Sequence, residues 1–419
     1  MDKVIVVGGG AAGMMAAIQA ARCGARVVLI EKNEKLGKKL FITGKGRCNL
    51  TNACDLPDLF TSIVSNPKFL YSALYSFSND NVIDFFEELG VKTKVERGNR
   101  VFPVSDKSSD VIRALEKECR RLGIEILLHT AVKEILVEES TKAVTGVRLA
   151  NQTKLKSSKV ILATGGVSYP RTGSDISGMK LAKAHNIVTL RPGLIGMVTK
   201  ENTKRLQGLS CHICKMMITT EKKGGKKLFE ESGEMLFTHF GVSGPIILTA
   251  SSLVGDCIQK YGSLSLHVDF KPWLTEEELD RDLLECFQQR QNADIKKVLG
   301  ALLPDRLVVS VLEQCGISLT QKANSISRDM RKDICKKIKD LVFTITRLHN
   351  MEEAIITRGG IDVKEINPST MESRLTKGLY FAGEMMDVDA LTGGYNLQIA
   401  WSTGCLAGVS AAENEFAHK

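Results

Sequence analysis

The stretch KVIVVGGGAAGMMAAIQAARCGARVVLIEK, Lys3 to Lys32, decides the fold. An apolar run, Val4 to Val7, leads into Gly8-x-Gly10-x-x-Gly13. Small residues then continue to about Cys23, Gly24 ends that segment, and a second apolar run, Val27 to Ile30, stops at Glu31. Strand, helix and strand in this order, with glycines in the first turn, make a parallel βαβ unit. Each glycine has a physical task. Gly8 permits the tight turn, Gly10 lets the backbone approach a pyrophosphate, and Gly13 lets the helix pack on the strand. The first helical turn, with Ala11 and Ala12, offers unpaired N–H groups and a positive dipole end to phosphate. Glu31, followed by Lys32, can accept from ribose hydroxyls and disfavours a 2′-phosphate, so FAD or NAD is expected rather than NADP.

Two distant segments choose between them. Val160 to Ala163 is an apolar strand running into Thr164-Gly165-Gly166. Near the C-terminus, Leu379-Tyr-Phe-Ala precedes Gly383-Glu384, and Leu391-Thr-Gly-Gly394-Tyr395-Asn396-Leu-Gln398 opens a helix of small residues. That helix would aim its N-terminal dipole at the pyrimidine edge of a flavin. Glycine turns from both ends of the chain returning to one nucleotide fit extended FAD.

The whole chain sets the bounds. At 419 residues it exceeds the roughly 250–300 that one core serves, so two or more packed units are expected. Hydrophobic content of 43% and charged content of 25% suit a folded globular protein. The net charge of +9 comes from 57 Lys and Arg interspersed with 48 Asp and Glu, without an aromatic-laced basic run. It reads as a solvated basic surface serving a small anionic substrate rather than a nucleic-acid groove. Eleven cysteines without secretory spacing suit a reducing compartment. No signal peptide and no apolar run of about 18 residues is visible, so a cytoplasmic location without membrane contact is expected. Oligomeric state is left open.

The stretch TGKGRCNLTNAC, Thr43 to Cys54, admits four readings: a phosphate-cradling loop, a redox cysteine pair, a glycosylation acceptor at Asn49, or a tight turn. The cytoplasmic expectation disposes of glycosylation. A C-x5-C spacing would set the two thiols on different sides of a helix, and no second GxGxxG unit for a pyridine nucleotide is visible, so a dithiol is disfavoured. The expectation is a loop along the cofactor. Gly44 and Gly46 give close approach, Lys45 or Arg47 offsets phosphate charge, Cys48 is a small neighbour, and Asn49 pins the turn.

From about Leu190 the pattern changes. Met216 to Thr220 and Lys227 to Phe229 alternate around Lys223-Gly224-Gly225-Lys226, a hairpin; Ser263 to Phe270 and Val342 to Arg347 read as strands. Thr275 and Glu278 form a capping box for a helix to about Arg290, and helical spacing persists through 294–303, 305–315 and 327–341. The α/β, Rossmann-type FAD domain is therefore expected at 1–190 and 356–419, interrupted at 191–355 by a strand-rich module with a helical part at about 275–341. A cleft between them is the default substrate site. Cys211-His-Ile-Cys214 lacks a second ligand pair for zinc and is assigned a structural role; no metal is expected.

These blocks resemble a known family, the BaiN-like or aminoacetone-oxidase-type FAD-binding flavoproteins. The resemblance covers nearly the whole chain. It rests on Gly8 to Gly13, Thr43 to Asn49, Arg100-Val-Phe-Pro103, Ala163 to Gly166 with Ser168-Tyr-Pro170, Leu236-Phe-Thr-His-Phe-Gly-Val-Ser-Gly-Pro245, Arg358 to Pro368, and Phe381 to Gln398. It implies tightly bound FAD, a glutathione-reductase-like FAD domain built from both chain ends, and an inserted β-barrel-like domain with a small helical subdomain. It adds Val132, with Thr164, Gly165, Gly383, Glu384, Gly394, Asn396 and Gln398, to the cofactor residues. Some members are assigned as reductases of conjugated double bonds in 3-oxo bile acid intermediates. The chain departs from the family pattern at Ser174-Asp-Ile-Ser-Gly178 and at Ala390, so substrate choice does not carry over.

The chemistry expected is hydride from NAD(P)H through flavin N5 to an activated C=C bond of a 3-oxo steroid or bile acid. NAD(P)H would dock transiently. Tyr169, Arg100, His239, Arg171 and Tyr395 have suitable chemistry to polarise a carbonyl or deliver a proton. An amine or aminoketone oxidase using oxygen, and an RNA- or partner-binding protein with structural FAD, are the alternatives.

Overall fold

A computed structural model describes residues 3–221 and 225–413. They fall into two compact units, Met1–Gly193 with Asn350–Lys419, and Leu194–His349. Each unit has its own buried apolar cluster.

The first unit is built on a parallel five-stranded sheet. Its order is Leu379–Phe381, Lys159–Leu162, β1 (Lys3–Val7), β2 (Arg26–Ile30) and Glu125–Leu127. The chain moves outward from β1 through β2 and then crosses to the other side of β1, so the strand order reverses there. In an open parallel sheet that reversal opens a crevice at the carboxyl ends of the strands. The first helix, α1 (Ala11–Arg22), follows β1 directly. The last helix, Tyr395–Ala412, lies against it.

Small residues make that helix pair close. A Cβ added at Gly404 would lie 2.4 Å from the Ala12 carbonyl oxygen, and one at Gly408 would lie 2.4 Å from that of Ala16. Positions 404 and 408 track 12 and 16, so the helices run side by side in the same direction. Elsewhere in this unit Glu118, on the helix Ser108–Arg121, is buried between Arg121 (2.7 Å) and Arg22 (2.9 Å), which fastens the end of α1.

The second unit is a closed six-stranded barrel. Its strands follow in the order Met197–Thr199, Gly241–Ser243, Lys227–Phe237, Ser210–Thr220, Leu264–Asp269 and Leu341–Leu348. Alternate residues fill the interior, with Cys214, Met216 and Ile218 on one strand and Leu264, Leu266 and Val268 on the next. The predicted hairpin is present, but residues 222–224 of its turn lie outside those described. The capping box forms as expected, Thr275 Oγ1 accepting from Glu278 N and Glu278 accepting from Thr275 N, at the head of Glu276–Gln289. Short helices then follow at Ile295–Leu299, Asp305–Gln314 and Arg328–Lys339. Sequence reasoning missed the helix Pro245–Tyr261, although a proline just after Gly244 is a start signal. Among the described residues, no helix is long and apolar enough to cross a membrane and no cluster of His, Cys, Asp or Glu could hold a metal.

Candidate functional site

Four neighbouring parallel strands deliver chemistry to one edge of the sheet. β2 ends in Glu31, β1 in Gly8–Gly10, Lys159–Leu162 in Ala163–Gly166, and Leu379–Phe381 in Ala382–Glu384. Close packing explains the glycines between them. A Cβ on Gly8 would lie 2.5 Å from the Ala163 carbonyl oxygen, one on Gly13 only 1.8 Å from the Gly8 oxygen, and one on Gly383 2.8 Å from Ala12 Cβ. Gly10 is different. It has φ −84° and ψ −168°, which any L residue adopts, and no heavy atom lies within 4 Å of its added Cβ. The protein itself does not require a glycine there, so the space beside it is available to a ligand.

Two helix ends open on this edge without side-chain caps. The first hydrogen bond of α1 runs from Met14 N to Gly10 O, which leaves the N–H groups of Ala11, Ala12 and Gly13 without intrahelical partners. In the last helix Gln398 N bonds to Gly394 O, leaving those of Tyr395, Asn396 and Leu397. Because Gly404 sits beside Ala12, the last helix begins about eight residues further out than α1, or about 12 Å at 1.5 Å per residue.

Glu31 is buried and accepts from Gly9 N (2.7 Å), Asn33 N (2.8 Å) and Asn33 Nδ2 (2.7 Å). A carboxylate offers about four acceptor directions, so one remains for a ribose hydroxyl. Thr130 N donates to Glu31 O and His129 N to Asn33 O, which brings Val132, opening the strand Val132–Val137, close to the end of β2. Lys32 is paired with Asp175 at 2.6 Å.

Residues 43–49 form a tight left-handed loop. Gly44, Lys45, Gly46 and Cys48 all have φ between 55° and 84°. Lys45 is exposed at the turn. Arg47 lies over the Phe102 ring at 4.1 Å and pairs with Asp106 and Glu96. Lys94 shares both carboxylates, at 3.3 Å to Glu96 and 2.7 Å to Asp106, so in the structure the Arg47 guanidinium is engaged in a four-member ion cluster that holds the loop. Asn49 Oδ1 is buried and has no hydrogen-bond partner in the structure. Cys48 is fully buried, and desolvation pushes its thiol up to about 12, which suppresses the thiolate that dithiol chemistry needs. Burial likewise raises Cys211 to about 12 and Cys214 to about 11.

Asn396 and Gln398 use their side chains on the protein. Asn396 accepts from Ala390 N (2.9 Å) and donates to Ala390 O (2.8 Å), while Gln398 donates to Phe77 O (3.1 Å) and Ser402 Oγ (2.8 Å). Gly394 packs on the backbone of Thr51, 2.3 Å from an added Cβ to the carbonyl oxygen. The side chains of Asn396 and Gln398 are thereby engaged with the protein.

The five candidate catalytic residues are carried by different elements, four in the first unit and His239 in the barrel unit. Tyr169 follows the Thr164-Gly-Gly turn in a left-handed conformation (φ 54°), is half-buried, and has its phenol pushed up by burial and then by the charge of Glu353. Tyr395 heads the last helix and is also raised, chiefly by burial. Arg171 is exposed, and so is Arg100, whose Nε donates to Arg97 O at 2.9 Å. His239 belongs to the barrel unit, exposed beside Phe240.

Sequence reasoning missed a polar knot behind the glycine turns. Lys39 Nζ, on α2 (Lys38–Ile42), donates to Glu384 Oε2 (2.6 Å) and Ser168 Oγ (2.7 Å). Thr357 N donates to Glu384 Oε1 (2.8 Å), and Thr357 Oγ1 accepts from Val167 N (2.8 Å) and Ser168 N (3.1 Å). The one local signal is Gly166, whose added Cβ would lie 2.3 Å from Thr357 Oγ1.

The open space at Gly10, the orphaned Asn49 oxygen, the two uncapped helix ends and the spare acceptor of Glu31 together fit FAD. Residues 2–410 match the family described as HI0933-like protein Rossmann domain. The chain is 32% identical to a 3-dehydro-bile acid delta(4,6)-reductase of Clostridium scindens, over 99% of this chain and 100% of that protein. It is 31% identical to a ribosomal RNA dihydrouridine synthase of Haemophilus influenzae, over 97% of both. Among solved structures it resembles 3-ketosteroid delta1-dehydrogenase from Sterolibacterium denitrificans, with a TM-score of 0.52 and 13% identity over 98% of this chain and 100% of that one, a likeness of fold.

Proposed function

This chain belongs to the HI0933-like family of Rossmann FAD-binding proteins and is an FAD-dependent oxidoreductase; from that premise we propose that it reduces a C=C bond conjugated to a carbonyl, with NAD(P)H as a transient donor. The observation that carries the reading is the full-length match to two proteins whose named activities share this bond type. A 3-oxo-Δ4,6 steroid has its double bonds in conjugation with the 3-carbonyl, and the C5=C6 bond of uridine is conjugated with its 4-carbonyl. FAD, when bound and reduced by NAD(P)H, would supply hydride from N5 of its ring.

The chain's own groups serve the rest. The N–H groups of Ala11 to Gly13 and their helix dipole take the pyrophosphate, and Glu31 takes the ribose. The last helix, opening about 12 Å further out, turns its positive end toward the ring and stabilises negative charge there. Tyr169 is the proton donor we favour for the substrate carbon, since it carries a phenolic O–H and lies half-buried just past the Thr164-Gly-Gly turn.

The leading substrate is a steroid-type enone. A uridine of ribosomal RNA is the second reading, favoured by the Haemophilus relative. Anaerobic stopped-flow spectroscopy tests the class: NAD(P)H should bleach the oxidised flavin band, and an enone should restore it. Bleaching by an amine alone, or no bleaching by either donor, would refute the reductase. Mass spectrometry for two added hydrogens, in a Δ4-3-oxo steroid or in uridine of ribosomal RNA, then distinguishes the substrates.

A further inference from the structure

Of the Lys39 knot only Glu384 stands among the expected cofactor residues, yet the knot joins the segments that carry them. Lys39 stands on α2, between the Gly8 loop and the 43–49 loop. Ser168 follows the Thr164-Gly-Gly turn, Glu384 follows Gly383, and Thr357 lies on the strand Ile356–Ile361. Ser168 and Thr357 are fully buried, whereas Lys39 and Glu384 each keep about a quarter of their side chains exposed, 24% and 23%. The knot thus has a dry side, made of backbone N–H groups on Thr357 Oγ1, and an accessible side, made of one ammonium and one carboxylate. The carboxylate belongs to a turn at the carboxyl edge of the sheet, where a diphosphate is expected. An unpaired carboxylate beside that diphosphate would repel it, with its charge only partly screened by solvent.

We propose that Lys39 is a cofactor-positioning residue: it neutralises Glu384 and, through Glu384 and Ser168, holds the Gly383 and Thr164–Gly166 turns in the spacing that receives FAD. This rests on the FAD reading of the site. Lys39 acts through its partners.

Titration of full-length apoprotein with FAD, followed by quenching of flavin fluorescence, tests it, with the thermal midpoint of each apoprotein measured alongside. Lys39→Met should weaken FAD binding about tenfold, a moderate value for a charge pair that is only partly desolvated. Lys39→Arg, which keeps the charge, should stay within about threefold of wild type. Adding Glu384→Gln to Lys39→Met should recover most of the loss, because it removes the lone carboxylate; a merely structural role would make the double variant worse. If Lys39→Met does not fold, the double variant decides, since it alone leaves no unpaired charge at this pair. It should bind FAD within about threefold of wild type, and a larger loss overturns the charge match. Wild-type apoprotein that fails to bind FAD would refute the cofactor reading. Wild-type binding with unchanged affinity in Lys39→Met would refute this inference alone.

Discussion

Gly10→Ala separates what the protein needs from what its ligand needs. The backbone at Gly10 is acceptable to alanine and the added methyl meets no protein atom within 4 Å, so the apoprotein should tolerate it. Alanine is a poorer N-cap than glycine by about 0.5–1 kcal/mol. It also restricts the unfolded chain, which returns about 0.4–1 kcal/mol, so the two effects nearly cancel. The apoprotein midpoint should therefore move by no more than about 2 °C. The ligand should be affected far more. The methyl occupies the place of closest approach over N–H groups of Ala11 to Gly13 that have no intrahelical partner. Losing two charge-assisted hydrogen bonds at about 1.5–3 kcal/mol each amounts to about 3–6 kcal/mol, or roughly 10²–10⁴ in affinity. Fluorescence titration of the apoprotein with FAD measures this. Wild-type affinity in Gly10→Ala would refute the placement of the pyrophosphate at α1. The contrast is Gly13→Ala, whose methyl would lie 1.8 Å from the Gly8 oxygen and should prevent folding of the unit.

Gly404→Ala should act through packing. Its methyl must move from 2.4 Å to about 3.4 Å from the Ala12 oxygen, so the last helix lifts off α1 at a cost of about 1–3 kcal/mol. Differential scanning calorimetry should show the apoprotein midpoint falling by about 2–8 °C, and an unchanged midpoint would mean that the helices do not touch there. Glu118 governs the acid limb of stability. Arg121, then Arg22, holds its carboxyl down from an ordinary 4.5 to about 2. A depressed carboxylate contributes stability above its unfolded value and loses it as pH falls through the folded one, so this contribution is full above about pH 4.5 and fades toward about pH 2. Urea midpoints should show Glu118→Gln about 1–2 kcal/mol less stable than wild type at pH 6 and nearly equal to it at pH 2.5. A constant difference across that range would exclude the assignment.

The parts of this fold legible in the sequence are those whose causes are local. The βαβ unit declares itself within thirty residues because period, glycines and acid are contiguous, and the Thr275–Glu278 box lies within one turn. The ion cluster of Arg47 was not legible because its partners, Glu96 and Asp106, are 49 and 59 residues away and come close only when the strands around Arg100–Pro103 pair. Lys39 was invisible for the same reason, with Glu384 at a separation of 345. Asn396 and Gln398 carry the right chemistry at the right helix end, but their side chains answer to Ala390, Phe77 and Ser402. Side-chain type indicates what a residue can bond; the tertiary fold decides which partner it receives.

The close pairing of α1 with the last helix also sets when this unit can close during synthesis. Ala12 and Gly404 are about 390 residues apart, so at roughly 5–20 residues per second the ribosome makes α1 about 20–80 s before its partner. During that interval the alanine face of the first helix has nothing to close against, and the turn that opens at Gly394 is not yet made. A chain terminated before Tyr395 would keep its whole phosphate loop yet leave α1 without the helix that packs on Ala12 and Ala16, so the two ends of the sequence that close this unit are made furthest apart in time.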